Sequence, residues 1–485
     1  MEVESENQNF WHGYFYTINS IIGSGMLAIP WAYSEGGWLL GVLSQIFTTT
    51  FTLILSYHQI QIMSRIEVLC NLSKRGYRII PVKPSQFLAR TFPEDFIVSD
   101  KGYKEEEELL EIKDKPVISQ VRFDLCEMIS VLLGKSGAVL FGISLSLSIY
   151  GALVAYCSIF ASSLASTIPI FGLNTCNIYD DSIEFADDCW KIYWFYLFIF
   201  LVSMSLLVII GLKEQAGFQS VMSIMRFLVI FLILGTSIEA ISSDTNLTDS
   251  NSNNGSLDLI NPMSIGITLP IIYLATSFHS TIPCTLQYVR NKNINVPRII
   301  NSSLFTITIL YTLIGIFVPL SKSNPESMMT INWIDYTGGH SDQSWWSMTI
   351  MYIIILFPAL DIFSLFPILA IALSDNLMAL QYGKFNENSI SKETFFFYRF
   401  LVIIPPVMVA MLFYSLGYIL DFTGTLSIFV AGVFVPLMSI ASRKMVTQHG
   451  DYDYWFVNEK WSWFILISSL VFFIITWTFL LIWII

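Results

Sequence analysis

The chain has 485 residues, of which 54% are hydrophobic and only 13% are charged, and its formal net charge is -12. Soluble domains carry about 25% charged residues, so this composition argues against an ordinary soluble enzyme. The net acidity argues against the basic surface that nucleic-acid binding requires. Together with a mean hydropathy of +0.62, the composition predicts a polytopic membrane protein that meets the lipid bilayer.

Eleven mostly apolar stretches are each long enough to cross a bilayer as a helix, which takes about 20 residues. They are continuous runs, whereas β-barrel strands show short alternating segments. The predicted fold class is therefore an all-α polytopic membrane protein. The approximate limits of the spans are 14–34, 38–60, 136–163, 192–211, 218–241, 263–288, 299–320, 346–373, 398–418, 423–442 and 462–484.

Lys and Arg are concentrated between the second and third spans and again before the eleventh. Because cytoplasmic loops carry the excess of these residues, we expect a cytoplasmic N-terminus and a lumenal or extracellular C-terminus, in an endolysosomal or plasma membrane. The predicted order is a cytoplasmic N-terminus, transmembrane helices 1–2, a cytoplasmic charged segment, transmembrane helices 3–10, a cytoplasmic loop and transmembrane helix 11. These parts cover residues 1–13, 14–60, 61–135, 136–442, 443–461 and 462–485.

Two outer loops carry residues typical of an oxidising, glycosylating compartment. Asn246 and Asn254 begin glycosylation sequons in one polar loop, which predicts a glycoprotein. Cys176 and Cys189 share another outer loop, where a disulfide can persist. Two free thiols are the alternative for this pair.

The first span is interrupted near mid-membrane by Ile22, Gly23, Ser24 and Gly25, and Pro30 follows. Glycine weakens a helix and proline removes a backbone donor. Irregular backbone at this depth is tolerated where it lines a cavity, and its free amides attract carboxylates. The alternative is that small residues here allow close helix packing.

The sixth span shows a second interruption, with Ser277, His279 and Ser280 between two prolines. Broken spans five apart are expected if spans 1–5 and 6–10 are inverted repeats with a binding site at their interface. These three residues are thus candidates for substrate binding. The alternative for His279 is a buried side chain that bonds a neighbour.

Charged residues inside spans are costly and are candidates for function. Asp361 in span eight predicts a proton-binding group or a cation ligand, and Ser364 lies on the same helical face. The alternative is a protonated Asp361 that bonds a neighbour. Arg226 in span five either snorkels inward or pairs within the bundle. Asp421 and Glu35 lie near span ends and are expected to be ordinary.

The sequence lacks the motifs that are typical of common enzyme classes. We find no nucleophile elbow, phosphate-binding loop or HExxH motif. The few histidines are scattered over different segments. We therefore expect no enzyme activity, no cofactor and no metal centre.

The residues around the first break resemble those of a known protein family. The stretch NSIIGSGMLAIPWAYSEGGWLLG (residues 19–41) resembles the first-span signature of the amino acid/auxin permease family. The likeness extends to the branch called transmembrane protein 104, through DDCWKIY (187–193), QSVMSIMRFLVI (219–230) and LFPALDIFSLFPILAIALSDN (356–376).

The resemblance implies a leucine-transporter-like fold of 5+5 inverted repeats plus one extra helix, with helices 1 and 6 broken. It implies that residues 22–25 bind a substrate carboxylate, that residues 277–280 face them, and that Ser364 matches a sodium-binding hydroxyl of coupled relatives. Asp361 departs from the pattern of the branch, which weakens sodium coupling and leaves proton coupling open.

The function that we expect is a secondary active transporter, a symporter of small amino acids coupled to H+ or Na+ by alternating access. The alternative is a non-transporting amino acid receptor or sensor that signals through segment 61–135. The sequence gives neither the substrate nor the oligomeric state.

Overall fold

The eleven apolar stretches correspond to eleven helical segments in the computed structural model of the chain. Among the described residues, nine helices are long and apolar enough to cross a membrane. Together with two interrupted spans, they confirm the predicted all-α polytopic fold. The structure describes residues 10–74, 77–79, 97–99, 116, 125–170, 172–180, 187–210, 216–242, 258–279, 281–285, 289, 291–322, 324–340, 342–382 and 391–484.

The helices are numbered in chain order, and "span" below refers to the eleven membrane segments. Span one comprises α1 and α2, and span six comprises α7 and α8. The helices are α1 (Phe10–Ile21), α2 (Ile29–Gly36), α3 (Trp38–Lys74), α4 (Leu125–Ala165), α5 (Asp188–Ile210), α6 (Ala216–Ser242), α7 (Ile265–Thr276), α8 (Ile282–Thr285), α9 (Lys292–Ser321), α10 (Trp345–Tyr382), α11 (Lys392–Ala410), α12 (Leu416–Met445) and α13 (Glu459–Ile484).

Spans one and six are the interrupted ones, as predicted. In span one, Gly23 is extended and leads into a 3-10 helix over Ser24–Ala28 before α2 begins. Pro30 lies in the first turn of α2, where its missing N–H would have had no partner. In span six, α7 ends at Thr276 and α8 has only four residues.

The packing repeats itself when five is added to each span number. Span one packs on span seven and span six on span two; span three packs on span ten and span eight on span five. Spans three and eight, and spans four and nine, pack on each other. Five crossings separate the members of each pair, so they run in opposite directions. Spans 1–10 are thus a 5+5 inverted repeat, and α13 is the additional helix.

The segment predicted at 61–135 is shorter than expected because helices enter it from both sides. α3 continues past residue 60 to Lys74, since Gln59, Gln61 and Arg65 lower its hydropathy but are buried. α4 begins at Leu125, and its helix is interrupted at Gly134, where φ is 74°. Within the segment, β1 (Tyr77–Ile79) pairs antiparallel with β2 (Ile97–Ser99).

A buried ionic cluster holds the loop between α12 and α13 against α3, at what we call the inner end of the bundle. Arg65 donates to both carboxylate oxygens of Asp453 at 3.1 and 3.2 Å, and Arg443 lies 3.4 Å from it. The Gly450 amide donates to the same carboxylate at 2.8 Å. Burial raises the pKa of Asp453, but the Gly450 hydrogen bond and the Arg65 charge lower it more, so the net pKa is depressed.

At the opposite, outer end, the loop between α9 and α10 covers span one. Trp333 is fully buried and lies in a 3-10 helix (Met329–Trp333) that contacts α2 and the 3-10 helix of span one. Its indole N–H donates to Thr236 of α6 at 2.9 Å. Tyr336 donates to Glu239 at 3.1 Å. These contacts close the outer side of the first break.

Candidate functional site

The end of α1 at the first break leaves main-chain carbonyls that the helix itself cannot satisfy. Arg226 of α6 donates through Nη1 to the carbonyl oxygen of Asn19 at 2.9 Å and to its side-chain oxygen at 2.7 Å. Tyr311 of α9 donates to the carbonyl of Ile21 at 3.4 Å. A cationic side chain thus lies at the negative end of the α1 dipole, where a positive charge is stabilised.

The same arginine joins span five to span eight. Its Nη2 donates to both carboxylate oxygens of Asp361, at 2.7 and 2.9 Å. The side chains of Arg226 and Asp361 are only 4% and 11% exposed. A buried charge is tolerated when it is paired and hydrogen-bonded, and each residue meets this need for the other. Three spans, one, five and eight, therefore meet at one guanidinium group.

A cavity lies beside this ion pair. The cavity is partly open, and about 340 Å³ of space, open surroundings included, lies between its lining residues. The Tyr156 hydroxyl of α4 faces the Ser24 side chain and lies within electrostatic reach of both members of the ion pair. Polar groups and apolar side chains therefore both line the cavity. The lining includes Ile22, Gly23, Ser24, Tyr156, Arg226 and Asp361.

The two glycines of the first break face different ways. An added Cβ on Gly23 would meet only the Ile21 carbonyl, at 4.0 Å, so this position opens onto the cavity. An added Cβ on Gly25 would lie 2.8 Å from the Cα of Ala275 in α7. Both readings of the break therefore apply, since Gly23 lines a cavity and Gly25 allows close packing of the two broken spans.

The remaining predicted residues lie outside this cavity lining. Ser364 is buried and donates to the main-chain carbonyl of Asp361 at 2.8 Å. Ser277 donates to the Leu274 carbonyl at 3.1 Å. His279 is buried at the second break, with its Nε2 3.0 Å from the Tyr273 hydroxyl. Ser280 lies outside the described residues.

The sequence left open how Arg226 behaves, and it gave no reason to select Asn19 or Tyr156. Arg226 pairs within the bundle rather than snorkelling to the inner end. The feature of the sequence that indicated this pairing was a single basic residue inside span five together with a single acidic residue, Asp361, inside span eight. Tyr156 carried no such signal, because tyrosines are common throughout this chain.

The outer-loop cysteines are joined in the structure. Cys176 and Cys189 form a disulfide with an S–S distance of 2.04 Å, which links the start of α5 to the loop before it. Asn246 and Asn254, the predicted glycosylation sites, lie outside the described residues. Their modification therefore stays a prediction.

Two family models match the chain. Residues 6–78 match the model described as "Transmembrane amino acid transporter protein", and residues 128–359 match "Amino acid permease". The first match contains the broken span one, and the second contains Tyr156, Arg226 and Ser277.

Curated relatives match along most of the chain. A Drosophila melanogaster transmembrane protein 104 homolog is 23% identical over 441 residues, which cover 85% of this chain and 84% of that protein. Transmembrane protein 104 of Mus musculus is 21% identical over 439 residues, covering 85% and 83%.

A solved structure of an Eremococcus coleocola manganese transporter mutant aligns with a TM-score of 0.48 at 12% identity, covering 96% of this chain and 87% of that one. The family and relative matches confirm the resemblance predicted from the sequence. The chain has the long apolar helices of a multi-pass membrane protein, and it resembles the amino acid permeases and, along most of its length, the transmembrane protein 104 branch.

Proposed function

We propose that this protein is a secondary active transporter of small amino acids, coupled to H+ or Na+ and working by alternating access. The observation that carries the proposal is the meeting of a broken span one with Arg226 and Asp361 at one cavity. Irregular backbone in a membrane is tolerated at such a cavity, and matched breaks five spans apart mark the binding sites of inverted-repeat carriers.

The cavity offers an amino acid groups of the right kind. The first N–H groups of the 3-10 helix at Ser24 have no partner within that helix, and such groups favour a carboxylate. Arg226, paired with Asp361, lines the same cavity and brings guanidinium N–H groups to it. The apolar walls, including Phe357 and Leu365, suit a small apolar side chain. The descriptions of the matching family models support an amino acid as the substrate class.

The contacts of Asp361 and Ser364 weaken the case for sodium at this site. Sodium would need oxygen ligands from these residues and from the end of α1. Both oxygens of Asp361 already accept from Arg226, the Ser364 hydroxyl donates within its own helix, and Arg226 also bonds the Asn19 carbonyl. A sodium ion at this site would have to displace the guanidinium.

The predicted orientation belongs to the same proposal. The N-terminus would lie in the cytoplasm, together with the ionic cluster around Asp453, and the C-terminus would be lumenal or extracellular. Arg443 and Lys444 in the last turn of α12 support this orientation, because basic residues favour the cytoplasmic ends of spans. The disulfide between Cys176 and Cys189 supports an oxidising compartment at the other end.

Uptake into proteoliposomes tests the proposal. The purified protein is reconstituted and offered a panel of labelled amino acids under an imposed proton gradient, an imposed sodium gradient or neither. We expect at least one small amino acid to accumulate under the proton gradient. Arg226→Ala should abolish that accumulation, because it leaves Asp361 as an unpaired buried charge beside the cavity.

The matched control is Lys191→Ala, which removes an exposed, surface ion pair far from the cavity. It should transport like the wild type, since exposed ion pairs contribute little. If no amino acid accumulates under either gradient, the proposal is wrong. If one then still raises the melting temperature of the purified protein, the sensor alternative replaces it.

A further inference from the structure

A second acidic residue lies inside the bundle, and its surroundings differ from those of Asp361. Asp421 is in the outer half of α12, is only 2% exposed, and its Oδ1 has no hydrogen-bond partner among the described residues. Its position near a span end made it seem ordinary in the sequence. The structure buries it because α12 packs tightly against both broken spans.

Two glycines define the face of α12 on which Asp421 lies. A Cβ on Gly417 would lie 2.4 Å from the Trp31 ring of α2, and one on Gly424 would lie 2.2 Å from the Pro270 carbonyl of α7. Asp421 is four residues after the first glycine and three before the second, so it shares their face. This face meets the outer halves of spans one and six.

A second polar atom on this face is also unmatched. The Thr425 hydroxyl, one turn after Asp421, is fully buried and lacks a hydrogen-bond partner within the described part of the chain. Burial of polar atoms without partners is costly, and such atoms in a native structure call for an explanation. Two such unmatched polar atoms on one helical face indicate a site where a proton can be bound and released.

The charges around Asp421 do not neutralise a carboxylate. Tyr418, one turn earlier on α12, lies within electrostatic reach of both Asp421 and Glu35 of α2. Glu35 is itself acidic and only half-buried. The other charged group within reach of Tyr418 is thus also an acid, which gives a negative Asp421 no stabilisation.

The other elements that pack on α12 bring no cation to this level. Residues 462–484 of α13, 38–56 of α3 and 24–28 of span one contain no ionisable side chain. The charged residues of these helices lie toward their inner ends: Arg65, Glu67 and Lys74 of α3, Glu127 and Lys135 of α4, and Glu459 and Lys460 of α13. Nearer the outer end, the titratable groups are the Cys157 thiol and tyrosines, none of which is a cation. The tyrosines are Tyr33 against Gly41 and Gly315, Tyr150 bonded to the Leu401 carbonyl, Tyr156 facing Ser24, and Tyr273 bonded to His279.

From these contacts we infer that Asp421, and not Asp361, is the carboxyl group that binds and releases the coupled proton. Asp361 is compensated by Arg226 and stays ionised in its pair. An ionised Asp421 would be a buried charge without a counter-ion in the described part of the chain, which costs far more than a neutral carboxyl with an unmatched oxygen. In this conformation Asp421 therefore carries a proton.

The inference rests on the proposed function and assigns its coupling ion. When the outer halves of spans one and six move away from α12, water reaches Asp421. The carboxyl O–H bond then breaks, the proton passes to a water molecule, and the carboxylate is solvated. Re-closure over Asp421 requires that a proton be taken up from the outer side, and coupled transport requires that this proton then leave to water on the inner side when the bundle opens there. Closure is thereby linked to protonation.

Infrared spectroscopy of the purified protein in lipid nanodiscs tests the protonation directly, without any substrate. At neutral pH the wild type should show the carbonyl stretch of a protonated, dehydrated carboxyl group. Asp421→Asn should lose this band. Asp361→Asn and the exposed control Asp188→Asn should keep it.

Asp421→Glu provides a second variant that retains a carboxyl group, and here the band should shift rather than vanish. A band that persists in Asp421→Asn, or that vanishes in Glu35→Gln instead, overturns the inference. Absence of the band from the wild type overturns it as well.

Transport separates this inference from the proposed function. With labelled L-alanine as the probe, Asp421→Asn should keep exchange of internal for external substrate but lose accumulation driven by an acid outer side. Acid-driven accumulation that survives in this variant refutes the coupling role. If the wild type moves no amino acid at all, the proposed function fails, and the infrared result still decides whether Asp421 holds a proton.

Discussion

Replacing Gly25 with alanine separates a packing role from a binding role at the first break. The new Cβ would lie 2.8 Å from the Cα of Ala275 and 3.1 Å from its N and Cβ. The neighbour is main chain of α7, so it cannot rotate away as a flexible side chain would. Overpacking of this kind costs about 1–3 kcal/mol. The unfolding equilibrium should shift by about 5- to 150-fold, since about 1.4 kcal/mol is tenfold.

The matched variant is Gly23→Ala. Gly23 has extended backbone, with φ -130° and ψ -161°, that any residue adopts, and its added Cβ meets nothing closer than 4.0 Å. Its stability should stay within about 0.5 kcal/mol of the wild type. Because the methyl group projects at the cavity, transport should change instead. Thermal unfolding of both variants, followed by tryptophan fluorescence, measures the difference. Equal stability of the two variants, or a less stable Gly23→Ala, would refute the assignment of the two faces.

Three further outcomes follow from contacts already described. Arg226→Lys keeps the charge but loses the fork that bonds two partners, and a lost charged hydrogen bond of about 1.5–3 kcal/mol should lower initial uptake by about tenfold or more; wild-type uptake would contradict this. Cys189→Ser should expose Cys176 to an impermeant maleimide without reductant, whereas labelling of these positions in the unreduced wild type would exclude the disulfide. Asp453→Asn should destabilise the protein by about 3–5 kcal/mol at neutral pH, because it breaks a buried ion pair. The Asp453 pKa is depressed on folding, so its stabilisation is complete above the unfolded pKa of about 3.9 and is lost as the pH falls through the folded value. Unfolding of wild type and variant over a pH series should show the gap closing in acid, and a constant gap would argue against the depressed pKa.

Hydropathy predicted the membrane spans because a bilayer imposes a length and an apolar composition on any helix that crosses it. The same rule ended the second span at residue 60, whereas α3 continues to Lys74. Gln59, Gln61 and Arg65 lower the local hydropathy, but they face protein and not lipid, and Arg65 is satisfied by Asp453 in a loop 388 residues away. Hydropathy measures composition, whereas the end of this helix is decided by a distant partner.

At the candidate site, too, local features were predictable from the sequence and long-range contacts were not. The break at Gly23 was readable because glycine and proline act locally on the backbone. The pairing of Arg226 with Asp361 depends on how spans five and eight pack, which spacing along the chain does not specify. Asp421 was misjudged for the same reason. Its distance from the end of its span suggested access to water, but Gly417 and Gly424 bring two neighbouring helices over it.

The recurrence of the packing between spans 1–5 and 6–10 has a consequence for the energetics of transport. If the two halves exchange conformations, the molecule arrives at a state that faces the other side and is built from equivalent contacts. The two states then differ in free energy only through the differences in sequence between the halves. A gap of this size can be overturned by a single ligand that prefers one state. The duplicated architecture is itself what makes the balance sensitive to one bound molecule or one proton.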